Sequence, residues 1–343
     1  MPWVSNSRPP TCSDSFDTFH WHKARQAAKA LAARAMLRAG SGQFDAAAGD
    51  LLAVHRLARL LGQGPVLLDH LVARGVEALA CHGDAVLAGS PRMTGGQARA
   101  HLAALHALPP LPPTAEVLET GERLFGLDSW ARSVREGAGK DLGQTFALLG
   151  IPVELPPDMP VDWDELLRMS NSRTDLLVAA CRRPTFRERR EAAERLRADV
   201  EAVVGKTEEH RVAYARKLAE VAKQGAPARR QITRALFYLT VSLGAISGRA
   251  EELRDEVVMR KSLAEVALAL RVYQAENARF PAALDQLKPS CLKDVPRDIF
   301  VDKPLIYRPQ GNGYLLYSVG ENMKDDGGKT AGPEGDLALR VEG

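Results

Sequence analysis

The stretch "EELRDEVVMRKSLAEVALALRVYQAEN", residues 251–277, decides the fold. Met259, Leu263, Val266, Leu270 and Tyr273 recur at alternating four- and three-residue steps, which is the period of one helix face. A helix this long with one apolar stripe needs a flat or grooved surface to lie on. The residues that follow can supply it. In "RFPAALDQL" (279–287) Pro281 stops the helix, and a short helical turn packs Leu284 and Leu287. "PRDIFVDKPLIYR" (296–308) predicts a turn and a short strand, "GNGYLLYSVG" (311–320) a turn and a second strand, and "DLALRV" (336–341) a third. The expected fold class is mainly α: an N-terminal helical-hairpin or bundle region, then a small α+β module with one long helix on a short antiparallel sheet.

Between the last two strands runs "ENMKDDGGKTAGPEG" (321–335), which places Asn322, Asp325 and Asp326 among glycines, with Ser318 before them and Asp336 after. Asx turns account for such residues as well as ion binding does. The spacing does not fit an EF-hand, which needs alternate ligands and a distal Glu. The succession "ALALRVYQAENARFPAALDQL", "VPRDIFVDKPLIYR", "GYLLYSVGENMKDDGG" and "GDL" resembles the soluble C-terminal domain of the major, G-type pseudopilins of type II secretion. It is similar also to modules in large planctomycete-type proteins of unknown role. The resemblance covers about residues 260–339.

That resemblance implies a calcium ion in the late loop. Asn322 stands where the family has its first Asp. Asp325, Asp326 and Asp336 fall in the acidic, glycine-rich segment that supplies further ligands, with a backbone carbonyl near Ser318. Calcium takes six to eight hard oxygens in flexible geometry, which this set could offer. The chain departs from the family at several positions. Asn replaces Asp at 322, and Ile299 and Asp302 replace the Pro and Gly of a turn. Ala278 replaces the usual Gly after the helix, so that Asn277 is expected to take the left-handed turn. The module follows about 250 residues of other helices, so the resemblance implies a head domain and not a filament subunit.

Upstream, residues 1–21 read as a disordered lead-in, 22–150 as helical hairpins, 151–249 as a second helical region and 250–343 as the module. Leu51, Val54, Ala58 and Leu61 share one helical face. "GQFDAA" (42–47) resembles the turn of a tetratricopeptide repeat, but the similar "CHGDAV" (81–86) places Gly83 41 residues beyond Gly42, the wrong period. A generic helical bundle stays an equal reading. "LPPLPP" (108–113) and "IPVELPPDMPVD" (151–162) predict stiff connectors, and Asp162 a helix N-cap. Residues 182–234 carry 15 Lys and Arg against 8 Asp and Glu, interleaved at helical spacing. That pattern fits a solvated face of intrahelical pairs, or a surface for an anionic partner.

The chemistry-bearing patterns are sparse. There is no GxSxG elbow, no HExxH, no complete phosphate loop and no nucleic-acid motif. Four scattered cysteines predict free thiols rather than disulfides or zinc, and eight scattered histidines predict core or surface positions. The net charge of +3 implies no polyanionic partner by itself. "ALFYLTVSLGAISG" (235–248) is too short and interrupted for a membrane span and predicts a buried helix. No signal peptide is visible, whereas the resemblance implies a periplasmic or envelope setting. The expectation is a non-enzymatic scaffold or interaction protein with a protein partner and a calcium-binding terminal module. The alternatives are a hydrolase-type site between the helices and the module, or an anionic-surface binder.

Overall fold

The computed structural model describes residues 18–148, 150–243, 246–330 and 335–342. It is mainly helical with a small antiparallel sheet at the C-terminal end. The first four helices are α1 (Thr18–Gly40), α2 (Phe44–Leu61), α3 (Leu67–Gly89) and α4 (Gly95–His106). Gly42, at φ +79°, makes the tight turn between α1 and α2, where any side chain would also meet Arg92. The segment 81–86 that resembles a second turn lies inside α3, which runs through it unbroken. Helix α1 begins at Thr18, so the expected lead-in is helical over 18–21; the rest of it lies outside the described residues. Trp21 is buried, and its indole N–H donates to Asp69 Oδ1 at 2.6 Å.

Next come the four-residue α5 (Thr114–Val117), a π turn over Leu118–Glu122, α6 (Arg123–Glu136) and α7 (Ala138–Leu148). They are followed by α8 (Trp163–Cys181), α9 (Phe186–Val204), α10 (Glu208–Ala222) and α11 (Arg229–Leu243). Asp162 caps α8 as expected, accepting from the Glu165 amide at 3.1 Å. Thr94 with Gln97 and Thr185 with Glu188 form capping boxes that start α4 and α9. A second hydrophobic core, from Leu142 to Leu239, belongs to this middle stretch. The proline-rich 151–162 is part of that core, since Ile151, Leu155, Met159 and Val161 are all buried in it.

The long helix is α12 (Ile246–Asn277). It lies on the sheet, as the stripe predicts, but the sheet covers only one side. Its principal partners are α3 and α4, far back in the sequence. Leu263, Ala264, Val266, Ala267, Leu268, Ala269, Leu270 and Val272 are all buried, so the helix is enclosed around its circumference. A single core therefore joins α1–α4, α12 and the sheet. At Gly95 a Cβ would come 2.8 Å from that of Ala275, so glycine lets α4 approach α12 closely. Arg271, the buried cation of α12, donates to the carbonyls of Ala88 at 3.1 Å and Gly89 at 3.5 Å. It thereby satisfies the open C-terminus of α3 and complements its dipole.

After α12 a 3-10 turn at Leu284–Leu287 packs both leucines inward. Strands β1 (Arg297–Asp298) and β2 (Lys303–Pro304) form a two-stranded ribbon. Strands β3 (Ile306–Gln310), β4 (Gly313–Ser318) and β5 (Leu337–Val341) form the main sheet, antiparallel in the order β3-β4-β5. The central strand is buried on both faces. Tyr314 and Leu316 join the shared core, while Gly328 of the acidic loop packs on Leu315 from the other side. The left-handed turn after α12 is made by Ala278, at φ +56°, and not by Asn277, whose side chain instead donates to the Tyr273 carbonyl. Helix α12 simply continues through Asn277, so the bend falls one residue later.

Because α12 is closed in by α3 and α4, a fragment of residues 250–343 alone should expose a broad apolar face. It is expected to show no cooperative thermal transition by circular dichroism and to bind a hydrophobic dye. A transition as sharp as that of the full chain would mean that the sheet suffices to hold the helix.

Candidate functional site

The structure places Ser318 at the end of β4, and Asn322, Asp325, Asp326 and Asp336 in the loop between β4 and β5. Two buried carboxylates hold its ends. Asp298 accepts from the Val319 amide at 2.9 Å and from Phe300 at 3.0 Å, fixing the point where the chain leaves β4. Asp336 accepts from the amides of Gly328, at 2.7 Å, and Asp326, at 3.1 Å, drawing the loop back over the sheet. Gly320, at φ +69°, passes so close to the Gly335 carbonyl that a Cβ would lie 2.7 Å from it. Ser318 Oγ accepts from the Gly320 amide at 3.2 Å.

Asn322 and Asp326 meet directly, with Asn322 Nδ2 donating to Asp326 Oδ2 at 2.9 Å, and Asn322 Oδ1 caps the Lys324 amide in an Asx turn. Asp325 is drawn to different partners. Its Oδ1 accepts from the Gly327 amide and the Tyr317 hydroxyl, and Arg308 lies 3.8 Å from Oδ2. Those contacts, the Gly327 amide first, hold its carboxyl below the usual carboxylate range. The loop thus joins the Asn322 and Asp326 side chains, ties the Asp326 amide to Asp336, and turns Asp325 toward Tyr317 and Arg308. Helix α9 also touches it, through Arg190 donating to the Glu321 carbonyl at 2.7 Å.

A second constellation lies in the interior of α2, α3 and α4. His55 is fully buried, and both ring nitrogens are held by carboxylates: Nδ1 donates to Glu77 Oε2 and Nε2 to Asp84 Oδ2, each at 2.8 Å. Arg59, one turn along α2, grips both oxygens of Glu77 and donates to the Pro109 carbonyl. His101 on α4 donates to the other oxygen of Asp84 at 2.7 Å. Burial alone would depress the His55 imidazolium, but the hydrogen bonds and charges of Asp84 and Glu77 outweigh it and push its pKa up to about 9. Burial pushes the two carboxyls the other way, yet His55 with Arg59 holds Glu77, and His101 with His55 holds Asp84, below the usual range. Two cations, Arg59 and His55, thus face two carboxylates in a volume closed to solvent.

The sequence contained a signal for this network. Glu77, Cys81 and Asp84 follow helical spacing on α3, and His55 and Arg59 follow it on α2, beside the apolar stripe of Leu51, Val54 and Ala58. Ionisable residues on an apolar face must find each other when the faces close. Which residues they find is a matter of helix pairing that spacing alone does not supply. Cys81, Cys181 and Cys291 are free thiols.

No family model, curated protein or solved structure matches this chain.

The network makes stability depend on pH with a defined sign. His55 has a folded pKa above its unfolded value, so its contribution is complete below about pH 6.5 and disappears as pH rises through about 9. Glu77 and Asp84 are shifted down, so their contribution is complete above the ordinary carboxylate range and is lost in acid. Urea unfolding should find greatest stability near pH 5 to 6.5 and a decline of up to about 3 kcal/mol by pH 9.5. A His55→Gln variant should flatten the alkaline limb. Separately, Glu77→Ala leaves two buried cations facing one carboxylate and should cost about 3–5 kcal/mol. A loss under about 1 kcal/mol, the scale of an exposed pair, would show that solvent reaches the network.

Proposed function

We propose that the protein is a non-enzymatic scaffold whose C-terminal unit is a pseudopilin-head-like module that binds calcium through its β4–β5 loop. The observation that carries this reading is the enclosure of α12, which packs α1–α4 and the module around one core. Such a body presents surfaces to a protein partner. Its most concentrated ionisable groups, His55, Glu77, Asp84 and His101, are closed off where no substrate could touch them.

Two backbone details support the module's likeness. Ala278 and Asp302 stand where the family has glycine, and both adopt the left-handed conformation glycine favours, at φ +56° and +51°. The contact of Asn322 with Asp326, beside an Asp336 carboxylate that holds the Asp326 amide, supports the ion. A calcium ion would replace the Asn322–Asp326 hydrogen bond and stabilise the folded state by mass action.

Among the described residues, the charged groups at the junction of helices and module are paired with structural partners, which does not favour a hydrolase. There Arg189 is paired with the buried Asp255, and Arg271 with the α3 carbonyls. In the basic stretch, Arg182, Arg190, Arg195, Lys206, Lys223 and Arg230 each lie within 4.0 Å of a carboxylate, which supports a solvated, paired face.

The full chain should melt at a higher temperature in millimolar calcium than in magnesium or EDTA. Asp326→Ala should reduce that difference while leaving the melting temperature in EDTA nearly unchanged, because the Asp326 side chain is exposed. Identical melting in all three conditions would overturn the calcium reading and leave the loop as turn chemistry.

A further inference from the structure

Cys81 adds a soft ligand to the buried network. It lies one turn beyond Glu77 on α3, so the two side chains project side by side from one helix face, toward His55 on α2. A ring nitrogen of His55, a carboxylate oxygen of Glu77 and the sulfur of Cys81 all lie within 4.8 Å of one another, and all three residues are buried. We propose that His55, Glu77 and Cys81 form a transition-metal site, suited to zinc or a similar divalent ion, in the interior of the α2–α3 pair.

The chemistry of the donor set selects the metal. Imidazole, carboxylate and thiolate together match zinc and cobalt, whereas calcium and magnesium require oxygen alone. The surrounding contacts are those that orient metal ligands. His55 Nε2 donates to Asp84 Oδ2, which fixes the tautomer and leaves Nδ1 to face Glu77 and the ion. Asp84 is steadied in turn by His101. Arg59 holds the Glu77 carboxylate in place through both oxygens, and Oε2, which also meets His55 Nδ1, is the one that faces the histidine.

Charge balance supports the same assignment. Without metal, Arg59 and the His55 imidazolium neutralise Glu77 and Asp84, and Cys81 is a thiol, its pKa raised by burial and by the two carboxylates. A divalent ion entering the site displaces the Nδ1 proton of His55 and the thiol proton of Cys81. Two positive charges enter and two protons leave, so the sealed interior keeps its neutrality in both states. Ligand contacts of about 2.0–2.3 Å set the donor atoms of a tetrahedral ion roughly 3.3–3.6 Å from one another, so Nδ1 of His55 and Oε2 of Glu77, now 2.8 Å apart, open slightly to admit it. The cluster is enclosed, so loading takes place during folding or through transient opening of the helix pair.

The decisive experiment refolds the full chain in the presence of cobalt(II), then removes free ion. The protein should retain one equivalent, show a thiolate-to-cobalt charge-transfer band in the near ultraviolet, and release two protons per ion bound. A variant with Cys12, Cys181 and Cys291 replaced by serine should keep the band, because Cys81 is then the one thiol left. Cys81→Ala should abolish it; alanine is small and apolar, and circular dichroism checks that the variant folds. Should that variant fail to fold, the three-serine variant still decides the matter, because Cys81 is the one thiol that can give it the band. Absence of the band in the three-serine variant, or its survival in folded Cys81→Ala, would overturn the proposal. Calcium should produce none of these signals, which separates this site from the β4–β5 loop.

Discussion

A stretch of helix that is apolar all round has to be surrounded, and residues 263–272 of α12 impose that requirement on the chain. From Leu263 to Val272 the residues that are neither Leu, Val nor Ala are Glu265 and Arg271. The sheet offers one apolar face, and α3 with α4 closes the other sides. The shared core, the glycine at 95 and the burial of Arg271 all follow from this enclosure. Even the polar exception contributes, because the buried Arg271 guanidinium satisfies carbonyls that the end of α3 would otherwise leave open.

Much of the local structure was legible in the sequence. The stripe from Met259 to Tyr273 marked a helix, the alternation in "YLLYS" marked a strand, and Asp162 marked a cap. Enclosure was harder to see because Ala264, Ala267 and Ala269 complete the apolar circumference with small side chains that carry little weight in a periodic reading. Pairing of α12 with α3 joins residues such as Ala88 and Arg271, 183 positions apart, and nothing local encodes that choice. The left-handed turn went to Ala278 because the helix runs on through Asn277.

The two polar sites illustrate opposite limits. The acidic loop announces itself through glycines and carboxylates in succession; Asn322 meets Asp326 and Asp336 holds the Asp326 amide, while Asp325 turns to Tyr317 and Arg308. The two carboxylates that hold its ends, Asp298 and Asp336, sit 38 positions apart, and only the second was singled out. The interior network is composed of residues that each look ordinary: a histidine and an arginine on α2, a glutamate and an aspartate on α3, a histidine on α4. Burial gives them their character. Removed from water, each must be matched, and the matched set holds three helices in one register more stringently than apolar packing would.

The order of these elements along the chain has a consequence for how the protein is made. The N-terminal helices α3 and α4 are complete by residue 106, yet the helix that covers them ends at residue 277. At ordinary rates of synthesis that is an interval of roughly ten to thirty seconds. Throughout it, the seat of α12 faces the cell uncovered, while the middle helices emerge and settle around a core of their own. The nascent chain therefore passes through a state with one finished unit and one half-built, sticky partner. It is in that interval that shielding by chaperones, or capture by a neighbouring nascent chain, would be decided.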